Sequence, residues 1–323
     1  MTIFFILLLI KFSEKLSLID VPNQRSVHKK SVPRGAGIAF TGTSLFAIWL
    51  FFPSHFTEYY YIYLSICIVW ISGILDDLFD ISPYMKLIFI LIASVVLFYK
   101  HFYLTTLGTY FGYTINIPVI VTYFFTFFAL AGFTNALNLM DGLDGLAGSI
   151  SLVMFIAFLI IGIYHKDALL TILSAAFVVS LLAFLLFNWH PGKIFMGDSG
   201  SLSIGFSLSI LAVEATKYIS PSAVLFIIAM PLLDTFIVMT RRKQRHLSLF
   251  TADKNHLHHF LYNVKGDVSF TVIILTMMQV IFSIIGVQLQ KSNNMITIIL
   301  FVLLFIVYLN LFDQRLKRRK KRK

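Results

Sequence analysis

Long apolar runs alternate with short polar loops along most of the chain. A run of about 18 or more apolar residues has the length of a helix that crosses a membrane. Backbone N–H and C=O groups find no water in hydrocarbon, so only helices and closed barrels can cross it. The runs are continuous, whereas barrel strands alternate in polarity. The pattern therefore predicts an all-α polytopic integral membrane protein.

About eleven segments have the length and apolarity of membrane-spanning helices. They centre on residues 3–18, 36–53, 59–75, 84–99, 117–134, 146–164, 167–187, 201–216, 220–240, 268–289 and 293–311. The first is the weakest, because Lys11, Glu14 and Lys15 interrupt it, and whether it crosses fully stays open. No soluble domain or internal repeat is visible, so residues 1–323 are expected to form one transmembrane domain with a basic tail at 312–323.

Basic residues are concentrated in alternate loops. If the loop of residues 19–35 defines one side, alternation places 76–83, 135–145, 188–200, 241–267 and the C-terminal tail on that side too. These segments hold most of the basic residues, whereas the opposite loops carry only Lys100, Lys166, Lys217 and Lys291. The positive-inside rule then makes the first side cytoplasmic, with the N-terminus outside and the C-terminus inside.

Composition agrees with a membrane protein. Hydrophobic residues make up 58% of the chain and charged residues 13%, whereas soluble domains carry roughly a quarter charged residues. The net charge of +11 lies in a few loops and the tail, so a membrane surface explains it better than nucleic acid does. The single cysteine, Cys67, excludes an intramolecular disulfide.

Three carboxylates follow the third predicted span, at Asp76, Asp77 and Asp80. On a helix, Asp80 would share a face with each of the other two, at spacings of four and three residues. Their mutual repulsion would be relieved by a divalent cation or a cationic partner. The alternative is a solvated acidic helix end.

Four polar residues recur at every third position after the fifth predicted span: Asn135, Asn138, Asp141 and Asp144. Their oxygens suit Mg²⁺ and nucleotide contacts. Gly142 and Gly145 would let the helix break and bring backbone close to a ligand. A glycine-rich turn without function is the alternative.

The loop of residues 188–201 opens the eighth predicted span. Asp198 is a hard ligand between glycines, and the N-terminus of the following helix favours phosphate. Phe195 has the shape to stack on a base. The alternative is that Asp198 or Ser199 simply caps the span.

Three histidines in four residues, His256, His258 and His259, lie in the longest of the basic loops. Zinc-type spacing is missing and arginines are close, so the pattern favours phosphate binding over a transition metal, with a surface loop as the alternative. Asp234 lies inside a span, where an ionisable residue is a functional candidate. We expect it to support the site by pairing with Arg241 or with a neighbouring helix.

The first basic loop holds two further candidates, His28 and Arg34. Its basic, turn-rich composition suits a grip on phosphates. A topology signal explains the same charges equally well.

Five segments carry a family resemblance. They are called the first to fifth motifs in this order, the fifth also being the histidine motif: PNQRSVHKKSVPRG, DDLFD, NALNLMDGLDGLA, NWHPGKIFMGDSGSL and HLHH. Together they closely resemble the polyprenyl-phosphate N-acetylhexosamine-1-phosphate transferases, which include phospho-MurNAc-pentapeptide translocase. The resemblance runs from about Asp20 to His259. Asp80 and the interrupted histidine motif are similar to the branch that uses UDP-GlcNAc, while Ala36 departs from the usual glycine pair.

The resemblance implies a glycosyl-1-phosphate transferase on the cytoplasmic face of a bacterial inner membrane. It would move N-acetylhexosamine-1-phosphate, with GlcNAc-1-phosphate as the first choice, from a UDP-sugar to undecaprenyl phosphate and release UMP. This step begins O-antigen, common-antigen or teichoic acid type pathways. Mg²⁺ is the implied cofactor, with Mn²⁺ as an alternative, and a homodimer stays open.

The resemblance also implies residue roles. Asp198 and Asn138 would hold the metal, and Asp76, Asp77 and Asp141 would be catalytic. The remaining candidates are expected to bind substrate: Asp80, Asn135, Asp144, Asn188, Phe195, His256, His258, His259, Arg34 and His28. Which aspartate, if any, is the general base stays open.

Two other classes and one variant of the reaction compete with this interpretation. The segment Asp141-Gly-Leu-Asp144-Gly145 matches part of the core of CDP-alcohol phosphotransferases, but the two further spaced aspartates of that pattern do not follow before Asp167. A lipid transporter or flippase predicts related halves and mid-membrane charges, which the sequence lacks. Another UDP-N-acetylhexosamine donor is the nearest alternative.

Overall fold

The computed structural model describes residues 1–21, 31–244, 256–291 and 294–320, with the side chains of residues 291 and 311–320 excepted. Within these residues the chain is a bundle of helices, as the apolar pattern predicts. The helices are α1 Thr2–Phe12, α2 Ala36–Phe51, α3 Pro53–Glu58, α4 Tyr60–Phe79, α5 Pro83–Tyr99, α6 Val119–Met140, α7 Leu146–His165, α8 Ala168–Asn188, α9 Asp198–Ala215, α10 Pro221–Ile227, α11 Ala229–Gln244, α12 Leu257–Lys265, α13 Val268–Gln288 and α14 Asn294–Lys320.

Each predicted span coincides with a helix, or with the α10–α11 pair. Among the residues that the structure describes, five helices, α4, α6, α7, α8 and α13, are long and apolar enough to cross a membrane, and the bent pair α10–α11 makes a sixth. Four apolar helical segments are shorter: α1, α2, α5 and residues 294–310 of α14. The chain is therefore a multi-pass α-helical membrane protein, while the number of eleven crossings stays a prediction.

Helix α9 lies at the centre of the bundle, where it packs against α2, α4, α6 and α7. Every residue from Ser199 to Ala215 is buried. Because protein rather than lipid surrounds this helix, it tolerates serines that a lipid-facing helix would not. One of them, Ser203, has its hydroxyl 2.7 Å from the Thr41 hydroxyl of α2.

Glycines let the neighbouring helices approach the N-terminal end of α9. A Cβ added to Gly37 of α2 would lie 2.0 Å from the Gly200 nitrogen, and one added to Gly73 of α4 would lie 2.5 Å from the Ser199 Cα. Backbones this close require small residues at the crossing. The N-terminus of α9 is thereby fixed between α2 and α4.

The chain bends by 89° between α10 and α11. The break frees backbone groups that helical hydrogen bonds would otherwise satisfy, and Gln279 of α13 replaces those bonds. Its Oε1 accepts from the Met230 amide at 3.1 Å, and its Nε2 donates to the Ile227 carbonyl at 2.7 Å. A break in a span is tolerated where side chains of neighbouring helices satisfy the freed backbone in this way.

In the described parts of the chain, two short antiparallel strand pairs accompany the helices and were not expected from the sequence. Strand β1, Ile19–Asp20, pairs with β2, Val32–Pro33, and closes the first basic loop. Strand β3, Thr106–Tyr110, pairs with β4, Tyr113–Asn116, between α5 and α6. The β-branched and aromatic residues around Phe111-Gly112 were the available signal for the second hairpin.

Candidate active site

The loop before α9 is attached to the start of α2 by backbone hydrogen bonds. The Phe195 amide donates to the Pro33 carbonyl at 2.8 Å, and its carbonyl accepts from the Ala36 amide at 3.1 Å. The Gly37 amide donates to the Met196 carbonyl at 3.0 Å. These bonds join the first and fourth motifs, which are about 160 residues apart in the chain.

Asp77 caps helix α9 from outside that helix. Its two oxygens accept from the amides of Asp198 at 2.8 Å and Ser199 at 3.0 Å, and the residue is 2% exposed. Two of the amides at the helix N-terminus that favours phosphate are therefore already bonded to a protein carboxylate. The N-cap position belongs to Gly197, so the capping alternative for Asp198 or Ser199 is wrong.

Lys86 connects two of the predicted acidic residues. Its Nζ lies 2.9 Å from Asp76 Oδ2 and forms a short ion pair with Asp198 Oδ2. Lys86 was not among the residues predicted from the sequence. The signal was available, because a lone lysine in the first turn of an apolar helix is a functional candidate in a membrane protein.

Asp80 does not share a helical face with Asp76 and Asp77, contrary to the expectation. Helix α4 ends at Phe79, and Asp80 follows in the left-handed conformation with φ +48°. Its side chain is 80% exposed and lies 3.5 Å from the Arg34 guanidinium. An ion pair this exposed contributes little to stability.

The two asparagines of α6 differ in orientation. Asn138 donates through Nδ2 to Ser201 Oγ at 2.8 Å, in the first turn of α9. This bond leaves the Asn138 carbonyl oxygen able to accept a ligand. Asn135 instead donates to the Ala131 carbonyl at 2.8 Å, one turn back on its own helix.

Asp144 lies in the turn between α6 and α7 and faces the loop after α8. Its Oδ2 is 2.8 Å from His190 Nδ1 and accepts from the Gly192 amide at 3.0 Å. His190 is a second residue that was not predicted from the sequence. These contacts join the third and fourth motifs.

Asn188 makes a further link between the same two loops. Its Oδ1 accepts from the Gly145 amide, and its Nδ2 donates to the Ile194 carbonyl, both at 2.9 Å. The buried amide thus supports the backbone of both motifs. Its contact with substrate stays a prediction, as does that of Phe195.

Asp141 follows the last residue of α6 and has an unusual electrostatic environment. Burial, together with the negative charges of Asp198, Asp77 and Asp144, raises the pKa of its carboxyl to about 8. The carboxylates around Asp141 therefore oppose a further negative charge at this position.

The histidine motif contacts the third motif through His258. A Cβ added to Gly142 would lie 2.5 Å from His258 Nε2, so glycine is needed for this contact. Asp234 of α11 lies 2.8 Å from His256 Nδ1, which supports the expected pairing with a neighbouring element. All motifs except the undescribed part of the first loop thus meet at one end of the bundle.

Comparison with known proteins agrees with this arrangement. Residues 59–216 match the family described as glycosyl transferase family 4. An undecaprenyl-phosphate alpha-N-acetylglucosaminyl 1-phosphate transferase of Salmonella typhi is 31% identical, with 99% of this chain and 93% of the relative covered. The protein of the same name from Escherichia coli K12 is 30% identical over 97% of this chain and 90% of the relative.

A Bacillus subtilis protein described as a probable undecaprenyl-phosphate N-acetylglucosaminyl 1-phosphate transferase is also 30% identical, over 90% of this chain and 83% of its own length. The chain belongs to glycosyl transferase family 4. The matched region of this family 4 protein contains four of the residues that meet in the structure, Asp77, Lys86, Asn138 and Asp198. The histidine motif lies beyond it.

The donor set of this family 4 protein fits a hard divalent cation. Asp76 and Asp198 converge on Lys86 Nζ, a cation held between two carboxylate oxygens, and the carbonyl oxygen of Asn138 is not used in its bond to Ser201. Oxygen ligands of this kind are those that Mg²⁺ prefers. Among the described residues, no three histidine, cysteine, aspartate or glutamate side chains are already arranged around a metal position. The set is therefore incomplete without asparagine or substrate oxygens.

Of the two substrate-binding residues predicted in the first basic loop, the structure describes one. His28 lies in residues 22–30, outside the described residues, so its predicted phosphate contact stays a prediction. Arg34, from the same loop, is described: its amide donates to the Leu18 carbonyl at 2.9 Å, and its guanidinium pairs with Asp80.

Proposed function

We propose that the protein transfers GlcNAc-1-phosphate from UDP-GlcNAc to undecaprenyl phosphate and releases UMP. The relatives carry names with this acceptor and this sugar, and they align along nearly the whole chain. The reaction would be the first membrane step of a cell-envelope polysaccharide pathway. The same reaction with another UDP-N-acetylhexosamine is the alternative.

The observation that carries the proposal lies at one end of a membrane bundle, where Asp76 and Asp198 meet at Lys86 and Asn138 bonds to Ser201 in the first turn of α9. One substrate is confined to the bilayer and the other is dissolved in water, so they can react only where a site opens to both. Both substrates are polyanions. A lysine, together with a divalent cation held by these carboxylates, can compensate the charge of a diphosphate.

Mg²⁺, held by Asp198 and Asn138, would neutralise charge on the diphosphate oxygens. Catalysis of phosphoryl transfer depends mainly on this kind of charge compensation and on positioning. Lys86 lies against Asp198 and Asp76 and supplies a second, fixed positive charge beside the same oxygens. The nucleotide part would lie at the adjacent loops, which contain Asp144, His190 and Phe195.

In the transfer, an oxygen of the lipid phosphate attacks the phosphorus that carries the sugar. The bond from that phosphorus to the bridging oxygen breaks, and the bridging oxygen leaves with UMP. A phosphate monoester has a second pKa near 6, so the attacking oxygen needs little help from a base at neutral pH. Asp76 is better placed than Asp77 to orient the lipid phosphate, because both oxygens of Asp77 accept from α9.

We also propose the orientation in the membrane. The motif-bearing end would face the cytoplasm in a bacterial inner membrane, with the N-terminus outside and the C-terminus inside. The lysine- and arginine-rich segments at 241–245 and 315–323 support this orientation through the positive-inside rule.

The direct test measures UMP release by purified protein in lipid. We expect release from UDP-GlcNAc that requires both Mg²⁺ and added undecaprenyl phosphate. A CDP-alcohol phosphotransferase would release CMP from a CDP-linked donor, and a transporter would release neither nucleotide. Absence of UMP release with a panel of UDP-N-acetylhexosamine donors would refute the proposal.

The metal assignment is tested by Asp198→Asn. We expect turnover to fall by about 10³-fold or more, because a charged ligand is lost where charge develops. The variant should remain inserted and monodisperse on size-exclusion chromatography. Near-normal turnover at saturating Mg²⁺ would contradict the assignment of Asp198 as a ligand.

A further inference from the structure

A buried carboxylate lies directly beneath the histidine motif. Asp234 of α11 is 2% exposed. Its Oδ2 is 2.8 Å from His256 Nδ1, and its Oδ1 accepts from the Leu257 amide at 2.7 Å. Both oxygens are therefore committed to the start of α12. Asp234 attaches that helix to α11 and holds one particular histidine.

The contact with Asp234 determines which ring nitrogen of His256 can still bind a ligand. An ionised carboxylate can only accept hydrogen bonds, so the proton of the ring lies on Nδ1. Nε2 is then the nitrogen that is left for a ligand. His256 is 6% exposed, and the second bond, from the Leu257 amide, holds the carboxylate in place beneath the ring. A carboxylate that fixes the tautomer and orientation of a histidine is the arrangement used in catalytic triads and metal sites.

His258 differs from His256 although the two rings stack 5.7 Å apart at 16°. It is 1% exposed, and its Nδ1 has no hydrogen-bond partner. Its Nε2 side lies against Gly142. Burial lowers the pKa of the His258 imidazole to about 3, so this ring is neutral. Its contacts are those of a packing residue.

We propose that Asp234 is a positioning residue that holds His256 with Nε2 available to a phosphate oxygen of the substrate, while His258 packs against the Asp141-Gly142 turn. This inference rests on the proposed transferase function. A deprotonated phosphate oxygen only accepts hydrogen bonds, so Nε2 must donate when such an oxygen is bound. The ring then carries two protons, and the carboxylate beneath it balances the charge. Among the ionisable groups of these two helices, His258 stacks on His256 and His259 contacts His258, while Arg241 and Arg242 lie seven and eight residues after Asp234 on α11.

The tautomer can be measured without catalysis. Protein labelled with ¹⁵N-histidine in lipid nanodiscs gives separate signals for protonated and unprotonated ring nitrogens, and His256→Gln identifies the signals of His256. We expect Nδ1 to be protonated in the substrate-free protein. A proton found on Nε2 alone would overturn the proposal, whether or not the protein is active.

Two ligands distinguish the sources of phosphate. UDP-GlcNAc with Mg²⁺ is added in one arm and undecaprenyl phosphate in the other. We expect the Nε2 signal to move to the protonated position in the arm whose phosphate His256 binds. No change of the Nε2 signal in either arm would overturn the phosphate contact.

Asp234→Asn provides the matched perturbation. The Leu257 amide would take the single amide oxygen, which leaves the NH₂ group against Nδ1 and favours the opposite tautomer. We therefore expect the ¹⁵N pattern of His256 to reverse. An unchanged pattern in this variant would contradict the role of Asp234. Asp234→Glu keeps the charge and serves if the asparagine variant does not fold; with it, we expect the wild-type tautomer.

Kinetic measurements then distinguish a positioning role of Asp234 from a general contribution to the stability of the fold. Asp234→Asn and His256→Gln should each lower kcat/KM by roughly 10–100-fold. The double variant should be no worse than the more impaired single variant, because Asp234 acts through His256. Losses that multiply would overturn the proposal. Asp267→Asn is the control, since Asp267 caps α13 through the Phe270 amide at 3.0 Å and lies outside the site, so we expect wild-type kinetics from it.

These experiments distinguish failure of the transferase function from failure of the positioning role of Asp234. If wild-type protein releases no UMP, the transferase function fails. The tautomer of the substrate-free protein still tests the contact between Asp234 and His256. If UMP is released but the tautomer is wrong, only the positioning role fails.

Discussion

At the scale of single residues, several ionisable side chains of the site are already bonded to other groups of the protein. Asp77 is used as a cap for α9, and Lys86 lies between Asp76 and Asp198. A lysine between two carboxylates compensates part of the charge that a divalent cation would compensate. Lys86 and Mg²⁺ are therefore expected to compete electrostatically for the same oxygens, even where each contributes to turnover.

Lys86→Gln tests this competition. Removing a positive charge a few ångströms from the metal position should lower the half-saturating Mg²⁺ concentration by about tenfold, which corresponds to roughly 1.4 kcal/mol. The measurement is UMP release against Mg²⁺ concentration, and maximal turnover is expected to fall as well. Lys217→Gln is the control, because Lys217 pairs with Glu214 at the other end of α9. An unchanged or higher Mg²⁺ requirement in Lys86→Gln would contradict the expectation.

At the scale of elements, helix α9 depends on the turn that precedes it. Gly197 has φ +74° and ψ 172°, a region that is essentially restricted to glycine. A Cβ at this position would also lie 2.6 Å from Asp77 Oδ2. The turn therefore brings the Asp198 and Ser199 amides onto Asp77 and presents the Asp198 side chain to Lys86.

Gly197→Ala is expected to damage both stability and activity. The backbone conformation alone costs about 1–3 kcal/mol for a residue with a Cβ, so the midpoint of thermal unfolding in detergent should fall by at least about 2 °C. Gly132→Ala is the matched control. Gly132 is exposed within α6, and nothing lies within 4 Å of its ideal Cβ. Equal midpoints for the two variants would show that the turn does not require glycine.

At the scale of the whole molecule, the helices separate two different ends. One end carries the acidic and histidine motifs. The other carries the hairpin β3–β4 and the turn after α9, where Tyr218 donates to Asp167 at 2.8 Å. In the proposed orientation only the motif-bearing end meets the cytoplasm, where nucleotide sugars are made.

Reporter fusions test this orientation. A reporter after Lys323 should give a cytoplasmic signal, and one inserted at Phe111-Gly112, the tip of the second hairpin, should give an external signal. These positions follow from the charge bias and from the hairpin between α5 and α6. The turn at His165-Lys166, between α7 and α8, provides a second external point. Reversed signals would invert the topology.

The sequence by itself determined the helical class, the position of every long helix and the set of motifs, because apolar length and local residue type are properties of contiguous segments. It did not determine the partners of Asp77, Asp80 and Asp234. Those depend on where helices end and on which distant segments meet: α4 stops before Asp80, and Asp77 reaches an amide 121 residues away. The contacts of Lys86 with Asp198 and of His190 with Asp144 likewise come from the tertiary structure, since these partners are 112 and 46 residues apart along the chain.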